Sequence, residues 1–323
     1  TMKTKIGYFA ITDAWTPAEC LQQAVAAEKT GFDSLWVEDH LIAMPGGTEC
    51  NFAWTVMSSA LQATKKVPFI TGVTAPIMRY HPAIVAQAFA TMGAMYPGRA
   101  GIGVGTGEPP NEMAVYPGEW PSNNARLEML EEALSVMNRL WTSDRPINQT
   151  GKFYTLKDAV LLTRPKEKVP VYVSAIGPRA ADLAGRLGDH LITLANNPQY
   201  VREELLPAFE AGARAAGKDP GTMERVGHFS YLYDPDQVIK PEQIQQDAGT
   251  IQGGAMAKAF ASGVISIFSS AEDFIKKIEE MKGMGYTHIA IGNVSTMAEK
   301  GSRVPSYEAP SLKIWKEVLP HVR

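Results

Sequence analysis

Cysteine is scarce, with only Cys20 and Cys50 in 323 residues. That excludes a disulfide framework as the basis of the fold, and a chain this long buries a large core without one. The opening residues carry no signal-like pattern, so both thiols are expected to be reduced and the protein cytoplasmic. Long apolar runs are missing as well. None approaches the roughly 20 residues of a membrane helix, so no membrane partner is expected. Charge of one sign does not dominate either: 31 Lys and Arg against 34 Asp and Glu leave a net charge of −3. Such a balance argues against a polyanion-binding surface, and hence against nucleic acid. There is no HExxH, no paired CxxC and no serine nucleophile elbow, and the histidines lack metal-ligand spacing, so no metal is expected. What remains is a globular chain, 45% hydrophobic and 20% charged, that reads as an enzyme with a small-molecule substrate.

Apolar runs and helix signals alternate along this chain. Lys5–Ala10, Ser34–Val37, Phe69–Ala75, Ala100–Gly105, Pro170–Ser174, Asp189–Leu194, Val226–Tyr231 and His288–Ile291 read as strands. Ser34–Val37 is apolar on both sides, as a strand buried between two layers is. Thr16-Pro17-Ala18-Glu19 is a capping box with proline at the first helical position, opening a helix that Gly31 ends. Pro82–Met95, Arg179–Leu187, Gln199–Ala215, Ala271–Met284 and Ser311–Val322 read as helices, and Leu127, Leu130, Leu134, Met137 and Trp141 recur at helical spacing. About eight strand–helix units imply right-handed crossovers and a parallel sheet, and that number suits an α/β fold of the (β/α)8 barrel type. Two stretches break the rhythm. Residues 142–168, with strand-like runs at Lys152–Thr155 and Val160–Thr163, predict a hairpin insertion; residues 234–270 predict an excursion over the barrel mouth. No linker or low-complexity tract divides the chain, so 1–323 is read as one domain.

In a barrel the chemistry sits at the C-terminal ends of the strands, and four places there carry candidate residues. Glu38-Asp39-His40 ends the second strand, where a histidine can exchange a proton with a substrate hydroxyl; the alternative is a hydrogen-bonded structural histidine. Gly101–Glu112 (GIGVGTGEPPNE) has glycines that admit close backbone approach, with Thr106 and Gly107 placed to touch a ligand and Glu108 placed for proton transfer. Pro109-Pro110 make a Rossmann reading of this stretch awkward, because that motif needs a helix starting inside it. Ser174–Ala180 (SAIGPRA) runs from a strand into a helix whose free N–H groups, with Arg179, suit a phosphate; a simple turn is the alternative. Asp13, just past the first strand, reads as a capping or surface residue or as part of the site.

The stretch MRYHPAIVAQAFATMGAMYPGRAGIGVGTGEPPNE, from Met78 to Glu112, resembles the luciferase-like TIM-barrel superfamily in its deazaflavin-dependent branch. With GYFA, VEDH, AIGP and LAGRLGDH, the resemblance runs along nearly the whole chain, and it points to coenzyme F420-dependent secondary alcohol and glucose-6-phosphate dehydrogenases. It implies hydride transfer between a substrate carbon and C5 of the deazaflavin. It implies that His40 is the acid–base residue on the substrate oxygen, that Glu108 is the carboxylate near N1 of the coenzyme, and that Asp13 supports them. Asp39, Ala75, Thr106, Gly107 and Asn111 match coenzyme contacts; Ile176, Gly177, Arg179 and Ala180 match the turn that holds its phosphate; and a cis peptide is implied at Gly72–Val73. The resemblance also implies a homodimer. Departures narrow the substrate. Leu194, Asn197 and Ala259 stand where the sugar-phosphate enzymes hold phosphate with a threonine, a lysine and an arginine, and Met44 stands where the family has a tryptophan. The 234–270 excursion is also shorter than in these relatives. An alcohol or carbonyl is therefore expected rather than a sugar phosphate. Two rivals remain open, an FMN-dependent monooxygenase on the same barrel and a deazaflavin-binding protein without catalysis.

Overall fold

The computed structural model describes residues 3–13, 15–43, 47, 49–238, 263–295 and 310–323. Met44, Ala259 and most of the 234–270 excursion lie outside them. Eight parallel strands form a closed ring: β1 (Lys5–Ala10), β2 (Ser34–Val37), β3 (Phe69–Thr71), β4 (Ala100–Val104), β7 (Val171–Ser174), β8 (His190–Thr193), β9 (Arg225–Tyr233) and β11 (His288–Asn293). Closure comes at β1, where Tyr8 is in register with Leu35 of β2 on one side and Ile291 of β11 on the other. This is the expected barrel.

Helices α1 (Pro17–Thr30), α2 (Ala53–Ala63), α3 (Pro82–Met95), α4 (Pro109–Glu112), α5 (Asn123–Thr142) and α6 (Pro178–Leu187) follow the ring strands, with further helices after β8, after Ile265–Phe268 and after β11. The capping box at Thr16 is formed, with Glu19 N donating to Thr16 Oγ1 and Glu19 Oε2 accepting from Thr16 N. On α5 the periodic Leu127, Leu130, Leu134 and Met137 are all buried. Each such side chain contributes about 1.5–3 kcal/mol of burial free energy.

The structure departs from the sequence reading in four places. Helix α2 was not predicted; Phe52 precedes it with no side-chain cap, so no start signal marks it, although Trp54, Met57 and Leu61 bury one face. The hairpin consists of β5 (Ile147–Thr150) and β6 (Thr155–Ala159) rather than 152–155 and 160–163. The Glu132 carboxylate on α5 accepts from the N–H groups of Phe153 and Tyr154 and so makes 151–154 the turn. A strand β10 (Ile265–Phe268) runs along β9 beyond the end of β8. Finally, the two prolines do not prevent a helix. They occupy the first positions of the one-turn α4, where no N–H is needed.

Two layers fill the barrel. In the middle Phe9, Trp36, Ile70, Tyr172, Ile192, Val226 and Ala290 form an apolar cluster, with Trp36 edge-on to Tyr172 at 5.1 Å. Gly103 lets β4 approach β3 here, since a Cβ would lie 2.0 Å from the Thr71 carbonyl oxygen. At the N-terminal end a polar plug gathers Lys5, Ser34, Tyr172, Glu224 and His288. Glu224 accepts from Lys5 Nζ at 2.5 Å and Tyr172 Oη at 3.1 Å and is paired with His288 Nδ1 at 2.8 Å. His288 Nε2 meets Ser34 Oγ at 2.8 Å. The plug closes the bottom of the barrel, which leaves the C-terminal mouth as the open end.

Candidate active site

The segment that follows β2 is extended, so successive side chains turn to different neighbours. Glu38 reaches back to the loop after β1, where its Oε1 accepts from Thr12 N, from Thr12 Oγ1 at 3.1 Å and from Asp13 N at 3.3 Å. Asp39 turns toward the loop after β3. Its carboxylate accepts from Thr74 Oγ1 at 2.7 Å and Tyr80 Oη at 3.0 Å, and Arg79 lies 3.3 Å away. His40 stands between the two remaining carboxylates, with Nδ1 2.9 Å from Asp13 Oδ2 and Nε2 3.5 Å from Glu108 Oε1.

Glu108 is held through its own loop. Its Oε1 accepts from Asn111 Nδ2 at 2.8 Å, and its backbone N–H donates to Glu112 Oε2 at 2.6 Å. Asn111, fully buried, also accepts from the N–H groups of Leu41 and Ile42 at 2.6 and 2.9 Å. It thereby joins the His40 segment to the Glu108 segment. Arg79 makes a second bridge, donating to the Asp39 carbonyl at 2.6 Å and lying 3.6 Å from Glu112. The turn at Gly107 has φ +69°, and a Cβ there would lie 2.7 Å from the Glu112 carboxyl. Only glycine fits that conformation and that space.

The electrostatics follow from this crowding. Burial opposes a charged His40, but the hydrogen bond to Asp13 and the charges of Glu38, Asp13 and Glu108 outweigh it and push the imidazole up to about 9. Burial pushes Glu38 up to about 7, with the positive His40 pulling down and Asp13 pushing up. Asp13, Glu38 and His40 each present a ligand-type atom within 4.8 Å of the others, the one such group among the described residues. Asp13 joins the three, its Oδ2 pairing with His40 Nδ1 and its backbone N–H donating to Glu38 Oε1.

The remaining candidates line the same mouth. The cis peptide is present at Gly72–Val73, and Ala75 is buried behind it. Thr106 is half-buried beside Gly107. Gly177 begins α6 without a side-chain cap, and a Cβ on it would meet nothing within 4 Å. Ile176 is exposed, Ala180 is half-buried, and the Arg179 guanidinium meets Asn124 Oδ1. Asp13 is not a surface residue but 1% exposed and on His40. The sequence reading missed Thr12, Arg79, Tyr80 and Glu112 as parts of the site. Arg79 and Glu112 lie inside the stretch that carries the resemblance, yet their partners are set only by the fold.

The sequence profile described as luciferase-like monooxygenase matches residues 4–287. The chain belongs to this luciferase-like family. Among its relatives, an F420-dependent glucose-6-phosphate dehydrogenase of Segniliparus rotundus (strain ATCC BAA-972) is 34% identical over 313 residues, covering 90% of this chain and 92% of that protein. One from Gordonia bronchialis (strain ATCC 25592) is 41% identical over 241 residues, covering 74% and 71%. Among solved structures, an F420-dependent secondary alcohol dehydrogenase in complex with an F420-acetone adduct is 41% identical, with TM-score 0.84 and full coverage of both chains. A coenzyme F420-dependent tetrahydromethanopterin reductase from Methanopyrus kandleri, 22% identical with TM-score 0.74 over 99% of this chain and 100% of its own, shares the fold. Within this luciferase-like chain no described helix is long and apolar enough to cross a membrane.

Proposed function

We propose that this F420-dependent oxidoreductase interconverts a small alcohol and its carbonyl, with His40 moving the proton. The observation that carries the reading is the placement of His40 at the barrel mouth, with Nδ1 bonded to buried Asp13 and Nε2 turned toward Glu108. Asp13 fixes the ring, and Nε2 takes the hydroxyl proton of an alcohol or returns it to a carbonyl oxygen. F420, when bound, supplies the hydride acceptor or donor. The residues present fit that coenzyme. The uncapped N-terminus of α6 opens onto free space at Gly177 and, with Arg179, suits a phosphate. Leu41, Ile42, Ile176 and Leu194, on loops after three barrel strands, are exposed apolar side chains at the mouth that suit a planar ring. Asp39, Thr106, Gly107, Glu108 and Asn111 would hold the ring end, and Ile176, Gly177, Arg179 and Ala180 the phosphate.

The relatives named above divide between sugar phosphate and alcohol, and the mouth favours the alcohol. Leu194 offers no charge, and the Asn197 side chain is occupied in accepting from Tyr200 N at 3.0 Å. A phosphate dianion placed beside them would lose water with no cation from either residue in return. Titration with F420 and with FMN, followed by turnover assays with small secondary alcohols and glucose 6-phosphate, tests the reading. F420 selectivity with alcohol turnover is expected. FMN selectivity would indicate a monooxygenase instead, and turnover of glucose 6-phosphate alone would overturn the substrate class. In the same titration, Arg179→Ala is expected to bind F420 more weakly and with less salt dependence. An unchanged isotherm would make the turn purely structural.

The charge on His40 also sets a pH dependence. Alcohol oxidation needs the neutral imidazole, so its rate is expected to rise with pH toward about 9. Carbonyl reduction needs the imidazolium and is expected to fall over the same range. Steady-state rates in both directions check this, and parallel profiles would contradict it.

A further inference from the structure

We infer that Glu38 is a positioning residue that controls the protonation of His40 through the buried Asp13–Glu38–His40 cluster, without touching substrate. The inference rests on the reading of His40 as the proton-transfer residue. Glu38 is 7% exposed and Asp13 1%. Their oxygens and a His40 nitrogen lie within 4.8 Å of one another, in a region where two carboxylates cannot both stay ionised without a nearby cation. The Arg79 guanidinium does not serve, because it is engaged by Asp39 and Glu112. Among the described residues, the cation available to the pair is His40 itself.

The two oxygens of Glu38 have different surroundings. Oε1 takes the donors from Thr12 and Asp13, which favours the carboxylate. Oε2 is buried with no hydrogen-bond partner among the described residues. It is thus the open position for a proton when His40 gives one up. The cluster holds its protons jointly, and the charge of one member decides the state of the next.

The other ionisable groups facing this cluster do not replace Glu38 in that role. Cys20 on α1 and Cys50 ahead of α2 both sense the Glu38 charge, but burial pushes these thiols up to about 12 and about 11. They stay neutral over the range in which an enzyme works. Glu108 approaches His40 from the opposite side, at Nε2. Glu38 is therefore the carboxyl behind the ring that can lose its charge without removing either atom that contacts His40.

The test is Glu38→Gln in the full chain, which keeps an acceptor for Thr12 and Asp13 and deletes the charge. The first readout is the His40 titration by NMR in labelled protein without coenzyme, the resonance being assigned by its loss in His40→Asn. The midpoint is expected to fall by about one pH unit or more, a tenfold loss of proton affinity. The second readout is the F420-linked alcohol oxidation profile, which should move to lower pH by the same amount. A midpoint unmoved in the folded variant overturns the inference and leaves Glu38 as a brace for the Thr12–Asp13 backbone. Glu38→Met covers the case in which Glu38→Gln does not fold. It deletes the same charge with an apolar side chain of similar length, its midpoint should fall likewise, and an unmoved midpoint there overturns the inference too. Because the NMR readout needs no turnover, a shifted midpoint in an inactive protein would sink the proposed function and spare this inference. An unshifted midpoint in an active one would do the reverse.

Discussion

Turnover by His40→Asn is expected to fall by about 10²–10⁴ while F420 still binds. Asparagine keeps a polar group near Asp13 but has no site that gains and loses a proton in the working pH range. Apart from Asp39, Leu41 and Ile42, the coenzyme contacts proposed here lie on other loops, after β4, β7 and β8. The arrangement around His40 supports a large effect. Asp13 occupies Nδ1 at 2.9 Å, which leaves Nε2 as the nitrogen available for exchange, and the surrounding carboxylates keep the ring's charge within reach of ordinary pH. Steady-state kinetics in both directions, paired with a fluorescence titration of F420, checks the claim. Wild-type turnover in the variant would remove His40 from the chemistry. F420 binding by a wild-type protein with no turnover on any alcohol or carbonyl would favour a coenzyme-binding protein over an enzyme.

Glu224→Gln is expected to cost about 3 kcal/mol of stability, because it removes the charge of a buried carboxylate and leaves the converging Lys5, Tyr172 and His288 in place. Glu224 stands at the bottom of the barrel with Lys5, Tyr172 and His288 converging on its two oxygens. Although burial alone would raise its pKa, hydrogen bonds and charges from His288 and Lys5 hold it well below the usual carboxylate range. The folded state therefore favours the ionised form, and the stabilisation is complete above the ordinary value of 4.5 and is lost as pH falls through the lowered one. Urea unfolding at neutral pH and at pH about 3, inside the window between the two values, separates the contributions. The wild type should lose stability between them, and the variant should lose less by the part that Glu224 supplies. Equal acid sensitivity in both proteins would place the acid response elsewhere.

Much of the barrel is legible locally. The strands are short apolar runs, the capping box at Thr16 and the prolines at Pro17, Pro82 and Pro178 mark helix starts, and α5 shows its period without help from any neighbour. These signals depend on residues within one or two turns of each other, so a sequence exposes them. Helix α2 lacked such a mark, and the hairpin register was decided by Glu132 on a different element. The helix after β8 shows the same limit. In place of one helix over Gln199–Ala215 the structure has a short turn of helix, Pro198–Tyr200, a π turn, Val201–Leu205, and the α-helical Leu206–Ala215. Pro207 has no N–H to close a regular bond at that point.

By itself the sequence determined the fold class, the family, and the positions of His40, Glu108 and Asn111 in motifs that a reader can quote. Only the tertiary structure decided what those residues touch. Asp13 reaches His40 across 27 positions, Asn111 reaches Leu41 across 70, and Glu224 meets Lys5 across 219. The roles of Asp13, Glu38, Arg79 and Glu112 are made by that convergence. A carboxylate in a loop has no distinguishing sequence mark until the barrel closes and brings its partner to it, and burial then sets which of the two holds the proton.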